Sequence, residues 1–363
     1  MRDPFLRRRP VPFPDESIRG YIVRLAHLNR TSPRNIYQKS SLLTGTVPRS
    51  LLMITDKVPL SKLQDLTLIE ESKLYDLSFY SLAGKYRDKR EDLKILRRIS
   101  AKGFCSVFFS QVCPICLSEK DFHRKLWELR MITTCHLHKC RLVSTCPQCG
   151  KILSPYRRFV TYCDCGFDLR KCSAKYVNSS DILLPTYINE KYFTGIKTIH
   201  LTEEFQQLSF RHFLYLHIFL YEYIFKCEFS QSDLQYSASF KPEIMHQVSL
   251  KTFEIFIGWP KSFYEFIETY RITPKNSSSG ITKEFGRFHY QLIEKLSLEE
   301  FSFVLNTFVQ YCGDIPSDPI LKQVKKQLSD FLTRKRRKMI FPFKKIILYA
   351  LKVQLKSLEL MLG

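Results

Sequence analysis

QVCPICLSEKDFHRKLWELRMITTCHLHKCRLVSTCPQCGKILSPYRRFVTYCDCGFDL, residues Gln111–Leu169, carries eight ligand-type side chains in four close pairs: Cys113/Cys116, Cys135/His138, Cys146/Cys149 and Cys163/Cys165. A two-residue spacer lets a chain reversal aim both side chains at one ion, and four such groups complete a tetrahedral zinc shell. Eighteen residues separate the first pair from the second and thirteen separate the third from the fourth, room for a hairpin or short helix that folds back. The simplest grouping is sequential, Cys113/Cys116 with Cys135/His138 and Cys146/Cys149 with Cys163/Cys165. A cross-braced grouping uses the same residues and stays open. Either way, two structural Zn2+ ions are expected.

Ten of the twelve cysteines fall between Cys105 and Cys172, a concentration that favours metal over a disulfide framework. Cys163-Asp164-Cys165 has a tight one-residue spacer, which leaves Cys172 as a reserve ligand; His136, Cys140 and His123 also compete. Cys105, Cys227 and Cys312 are expected as apolar, satisfied side chains. Neither site has the marks of catalysis. A catalytic zinc keeps one position open beside a carboxylate, whereas here four protein groups fill each site. His-Glu-x-x-His, the His-x-Glu deaminase signature, phosphate loops and nucleophile motifs are all missing from the sequence. A non-enzyme is expected.

The 363 residues carry a formal charge of +22, with 29 Phe and 19 Tyr against only 12 Gly. The aromatic content suits helix-rich packing, and the charge points first to nucleic acid. Apolar stretches are interrupted by charged residues and fall short of a membrane span. No secretory leader is read, and reduced cysteines suggest a prokaryotic cytoplasm.

Outward from the cysteines, a basic, proline-punctuated arm, Arg7-Arg8-Arg9-Pro10-Val11-Pro12-Phe13-Pro14, precedes Asp15-Glu16-Ser17. Ile18, Ile22, Leu25 and Leu28 then recur at helical spacing, Asn29-Arg30 ends the helix, and Ser32-Pro33 starts another. The pair resembles part of a helix-turn-helix. Ser61–Lys85 is expected to continue as helix with a cap at Ser72, and basic residues thicken from Lys85 to Arg98. Trp127 is a core ring over the knuckles. Leu183–Tyr187 reads as a linker, Phe205–Phe225 as a buried helix, and 230–246 as loop. Further helices follow around Phe263, Phe288 and Phe301, with a connector at Lys275–Gly280. Lys322 to Lys356 holds twelve Lys/Arg and one acidic residue, centred on Arg334, Lys335, Arg336, Arg337 and Lys338, the expected nucleic-acid contacts.

The fold class is therefore mainly α: an N-terminal helix-turn-helix-like region (1–103), a two-zinc ribbon or knuckle domain (104–178), a C-terminal helical domain (179–316) and a basic helical tail (317–363). The order Pro12–Ser17, Tyr21–Ala26, Asn29, Val112–Leu117, Leu126-Trp127, Thr134–His138, Leu142, Cys146–Gly150 and Cys163–Gly166 resembles the TniQ/TnsD family of bacterial transposon target-selection proteins. The aromatic lead-in to Gly258-Trp259-Pro260 and Phe263 resembles a region of CRISPR-associated members. The resemblance implies a non-catalytic adaptor in DNA transposition that recruits the AAA+ regulator TnsC. It implies as partner a Cascade-like guide complex with its RNA and target DNA, with homodimer formation; the alternative is TnsD-like direct binding to a fixed DNA site. Cys140 and the basic C-terminus have no counterpart role in that family pattern.

Overall fold

The computed structural model describes residues 6–44, 47–48, 58–83, 109–229, 242–271, 284–286, 288–296 and 298–313. The Arg334–Lys338 run with its tail, the basic stretch Lys85–Arg98, Cys105 and the Lys275–Gly280 connector lie outside them. The described chain is mainly α-helical, with two short antiparallel hairpins, and no described helix is long and apolar enough to cross a membrane. Its residues group into two compact units. The first comprises the described parts of Met1–His200, Ser209–Tyr221 and Gln231–Phe253; the second comprises Leu201–Leu208, Glu222–Ser230 and Glu254 onwards.

The first unit begins with the arm laid antiparallel along α1 (Ile18–Leu28). Glu16 accepts from Phe13 N at 3.0 Å, and Arg24 donates to Val11 O at 3.0 Å. Tyr21 donates to Pro10 O at 3.1 Å, and Asn29 brackets the backbone of Arg8 at both its N and O. Ser17 caps α1 by accepting from Gly20 N. The helix ends in a Schellman motif, Thr31 N to Ala26 O and Arg30 N to His27 O, with Arg30 left-handed at φ 52°. Ser32 and Pro33 then start α2 (Pro33–Lys39). A hairpin, β1 (Leu43–Thr44) with β2 (Val47–Pro48), follows.

Residues Ser61–Ala83 are broken helix, in three pieces: α3 (Ser61–Thr67), α4 (Glu71–Asp76) and α5 (Tyr80–Ala83). Leu68 turns left-handed at φ 58° and ends α3, and Glu70 rather than Ser72 occupies the cap position of α4. Ile18, Ile22, Leu25, Ile36, Leu63 and Leu74 of these helices share one fully buried core. Within the Cys-rich part, α6 (Pro114–Glu119) and a 3-10 turn at Lys125–Glu128 precede the hairpin of β3 (Thr134–Cys135) and β4 (Cys140–Arg141).

The expected linker is instead helical, α7 (Leu183–Ile188), because Leu184, Tyr187 and Ile188 bury their side chains. Tyr187 packs against Phe213 at 5.2 Å and Phe253 at 5.7 Å. The Phe205–Phe225 run is two helices, α8 (Glu203–Gln207) and α9 (Phe210–Glu228), split at an extended Leu208. Helix α10 (Pro242–Ile257) begins within the segment expected as loop, and its first half is tied down inside the first unit. Ser249 donates to Met131 O at 2.8 Å, Thr133 Oγ1 meets His246 Nδ1 at 2.8 Å, and Arg141 donates to Pro242 O at 3.1 Å.

The second unit is held by aromatic rings. Phe205 meets Phe256 at 4.7 Å, Phe303 at 5.1 Å and Trp259 at 5.4 Å, and Trp259 stacks on Phe263 at 4.6 Å. Phe263, Phe266 and Ile267 form the buried stripe of α11 (Lys261–Thr269). Helices α12 (Phe288–Lys295) and α13 (Ser302–Gly313) join through Phe288 and Phe308 at 6.0 Å. Cys312 is buried as expected, but Cys227 is exposed on the last turn of α9.

Candidate metal centre

Cys113 sits at the N-cap of α6, its Sγ accepting from Cys116 N at 3.5 Å, and Pro114 takes the first helical position, where no amide donor is needed. This turn aims both sulfurs the same way. The β3–β4 hairpin brings the second pair, Cys135 on β3 and His138 in the tight turn, which Lys139 closes at φ 47°. The four donors converge. Cys116 Sγ lies 3.6 Å from Cys135 Sγ and 3.2 Å from His138 Nδ1, and His138 Nδ1 lies 3.5 Å from Cys113 Sγ and 3.7 Å from Cys135 Sγ.

Tetrahedral bonds of about 2.3 Å to sulfur and about 2.0 Å to nitrogen place neighbouring donors roughly 3.5–3.8 Å apart. Three of these four separations have that spacing, and Cys116 Sγ to His138 Nδ1 is shorter at 3.2 Å. On its outer side Glu119 Oε1 lies 2.9 Å from His138 Nε2. Arg124 donates to Cys116 Sγ at 3.4 Å while pairing with Asp15 of the arm, so a cation faces a thiol that would be anionic around a metal. Cys140 Sγ lies 3.6 Å from Cys113 Sγ but is not one of the four converging donors.

The second cluster draws together Cys146, Cys149, Cys163 and Cys165. Cys146 and Cys165 sulfurs are 3.7 Å apart, and those of Cys149 and Cys163 are 3.8 Å apart. Each turn is closed by a glycine amide, Gly150 N to Cys146 O and Gly166 N to Cys163 O, both at 2.9 Å. Their φ values of 67° and 90° explain why glycine follows the last cysteine in each knuckle. The one-residue spacer therefore still delivers both Cys163 and Cys165, and Cys172 stays outside, at the end of the Leu169–Lys171 turn. The structure thus shows the sequential grouping. Each set could hold one metal ion with every position filled by protein.

A buried polar latch joins the arm and α1 to the first cluster's loop. Ser17 N donates to His123 O at 2.8 Å, and Lys125 N donates to Asp15 O at 2.7 Å. Ser17 Oγ, which accepts from Gly20 N, also lies within hydrogen-bond distance of His123 Nδ1, 3.2 Å away. On the other side of the ring, Nε2 and Ser110 Oγ are hydrogen-bonded at 3.1 Å. Beside it Arg19 and Glu128 form a buried ion pair. Burial holds the His123 imidazole well below its usual pKa, with the Arg157 and Arg19 charges adding to the effect. Burial likewise pulls Arg157 down to about 10, against the opposing charge of Asp164 and Cys163.

Glu128 Oε1 lies 3.6 Å from His123 Nδ1, beyond hydrogen-bond reach, and the partly open space among Arg19, Ser110, His123, Glu128 and Arg157 is about 10 Å³. That volume holds one water and no substrate. The group works as a clamp. His123 is therefore core, Trp127 is buried edge-on to it at 5.3 Å, and His136 lies outside both clusters.

Residues 7–142 match the family model of TniQ. The TniQ-like segment takes in the arm, α1 to α6, the latch and all four donors of the first cluster. It ends before Cys146, so the second cluster and the second unit lie beyond it. No curated protein matches the chain. Two features of the TniQ-like segment escaped the motif reading. Glu119 stands behind His138, and Gln111 spends its amide nitrogen on the carbonyls of Trp127, Leu129 and Ile132 at 3.0, 3.1 and 2.6 Å. A carboxylate three residues past a ligand cysteine was the available signal for the first; nothing local marks the second.

Proposed function

We propose that the chain is a TniQ-family protein acting without catalysis in DNA transposition, as an adaptor that links a Cascade-like guide complex at the target to a TnsC-like AAA+ regulator. The observation that carries this reading is the match of residues 7–142 to TniQ, over a segment whose arm, helices and first Cys/His cluster interlock through the latch. Zn2+ fills both clusters as a structural ion, since thiolate-rich, fully protein-filled sets are the donor chemistry zinc takes in structural sites. The aromatic-rich second unit supplies the surface for the guide complex or for a second copy of the chain, and Arg334–Lys338 contact nucleic-acid backbone.

The test is co-purification of the full chain with the AAA+ regulator and, separately, with the guide complex. Retention of both supports the adaptor. Loss of both overturns it. A second reading, direct recognition of a fixed DNA site, is favoured by the exposed cations around α1 and α2; protection of one specific duplex by the chain alone distinguishes it.

A further inference from the structure

We propose that the face formed by the Arg7–Arg8 arm, the Arg30 turn, Arg34 of α2 and the Phe159 loop binds nucleic-acid backbone. Residues 6–44 hold eight Lys/Arg and two acidic residues, Asp15 and Glu16. Both carboxylates are already used: Asp15 pairs with Arg124, and Glu16 pairs with Arg24 at 2.6 Å. Arg19 is neutralised by Glu128. Arg7, Arg8, Arg30, Arg34 and Lys39 are exposed, and none forms an ion pair among the described residues.

The fold collects several of these charges at one end of α1. The Asn29 side chain holds the backbone of Arg8 at 2.9 and 2.7 Å, which fixes the arm beside the turn. The Schellman motif places Arg30 on that turn, and α2 begins three residues later with Arg34 on its exposed side. A polyanion laid across this end meets arginines whose backbones are already ordered, so the ordering cost of binding is confined to their side chains.

The face continues beyond α1. His27, in its last turn, packs edge-on against Phe159 at 4.7 Å, and Phe159 meets Tyr162 at 5.8 Å. Phe159 remains 38% exposed beside the exposed Arg158. Cations interleaved with a partly exposed ring are what a sugar–phosphate strand and an unstacked base use.

The inference rests on the adaptor reading only for the identity of the nucleic acid as target DNA. Its test needs no transposition partner: anisotropy of the full chain with a labelled duplex of about 30 base pairs, and with one of its single strands, across a salt series. Replacing Arg7, Arg8, Arg30 and Arg34 together by Gln is expected to weaken duplex binding at least about tenfold near 0.1 M salt. The slope of log K against log salt should flatten by about 0.9 for each phosphate contact removed. Phe159→Ala should weaken single-strand binding about fivefold or more.

The four arginines are exposed, so retained metal content and helicity should certify the variant's fold. Unchanged affinity and slope in that folded variant, or no binding of either nucleic acid by the parent chain, would overturn the proposal. An unchanged Phe159→Ala variant would overturn the extension past α1. Failed nucleic-acid binding with the AAA+ regulator still retained sinks this inference and leaves the adaptor standing; the converse result does the opposite.

Discussion

Glu119 accepts a hydrogen bond from His138 Nε2 at 2.9 Å, leaving the Nδ1 lone pair for an ion shared with the three sulfurs of the first cluster. A carboxylate behind an imidazole ligand fixes its tautomer and raises its basicity, and losing such a partner costs about 10- to 100-fold in metal affinity. Glu119→Ala should therefore release the first cluster's metal to a competing chelator at roughly that lower chelator concentration. The second cluster should hold its ion as before. Equal loss from both clusters, or from neither, would remove Glu119 from this role.

The Arg19–Glu128 pair is buried at the joint between α1 and the 3-10 turn. Removing one partner leaves a buried charge unpaired, at a cost of about 3–5 kcal/mol, whereas replacing both by apolar groups is often near neutral. Arg19→Met should thus unfold the first unit at distinctly lower denaturant, and Arg19→Met with Glu128→Leu should recover most of the loss. Additive single effects in the double variant would mean the two residues act separately.

What the linear chain announced and what it hid divide along contact distance. The cysteine spacings picked out the four close pairs, because each is closed by a turn only a few residues long, but left open which pairs share a cluster; the convergence of the folded chain groups them. Ser17 and Ser32-Pro33 likewise marked helix starts through bonds to amides three residues on. The latch was hidden because Ser17 and His123 are 106 positions apart and Arg19 and Glu128 are 109 apart, with no local pattern at either end. The end of α3 at Leu68 was equally silent, since a left-handed leucine carries none of the glycine or asparagine signal. Leu183–Tyr187 looked like a linker around its proline, yet burial of Leu184 and Tyr187 makes it helix.

Two glycines should respond to alanine for different reasons. A Cβ on Gly20 would lie 2.5 Å from His123 Cβ, so α1 must shift away from the latch; overpacking of this kind costs about 1–3 kcal/mol. At Gly166 nothing lies within 4 Å, and the cost is the left-handed backbone alone, about 1–2 kcal/mol. Thermal unfolding should show both losses. The Cys163–Cys165 knuckle should bind metal more weakly only in Gly166→Ala; the reverse pattern would count against these assignments.

His123 sets an acid limit. Its folded-state pKa lies below the unfolded value of about 6.5. Below that value the unfolded chain takes up a proton that the buried imidazole refuses, so this contribution is present above about pH 6.5 and is lost as pH falls. The slope is at most about 1.4 kcal/mol per pH unit. His123→Gln should lower stability at neutral pH and flatten the decline between about pH 6.5 and 5.5. An unaltered pH dependence would mean that other groups carry the acid sensitivity.

Elemental analysis of the full chain, purified without added metal, checks whether both Cys/His sets hold zinc as structural ions. Two zinc ions per chain are expected, with loss of helicity when they are stripped, because such binding contributes folding free energy on the order of 10 kcal/mol per site. A ratio near one, or iron in place of zinc, would contradict that expectation.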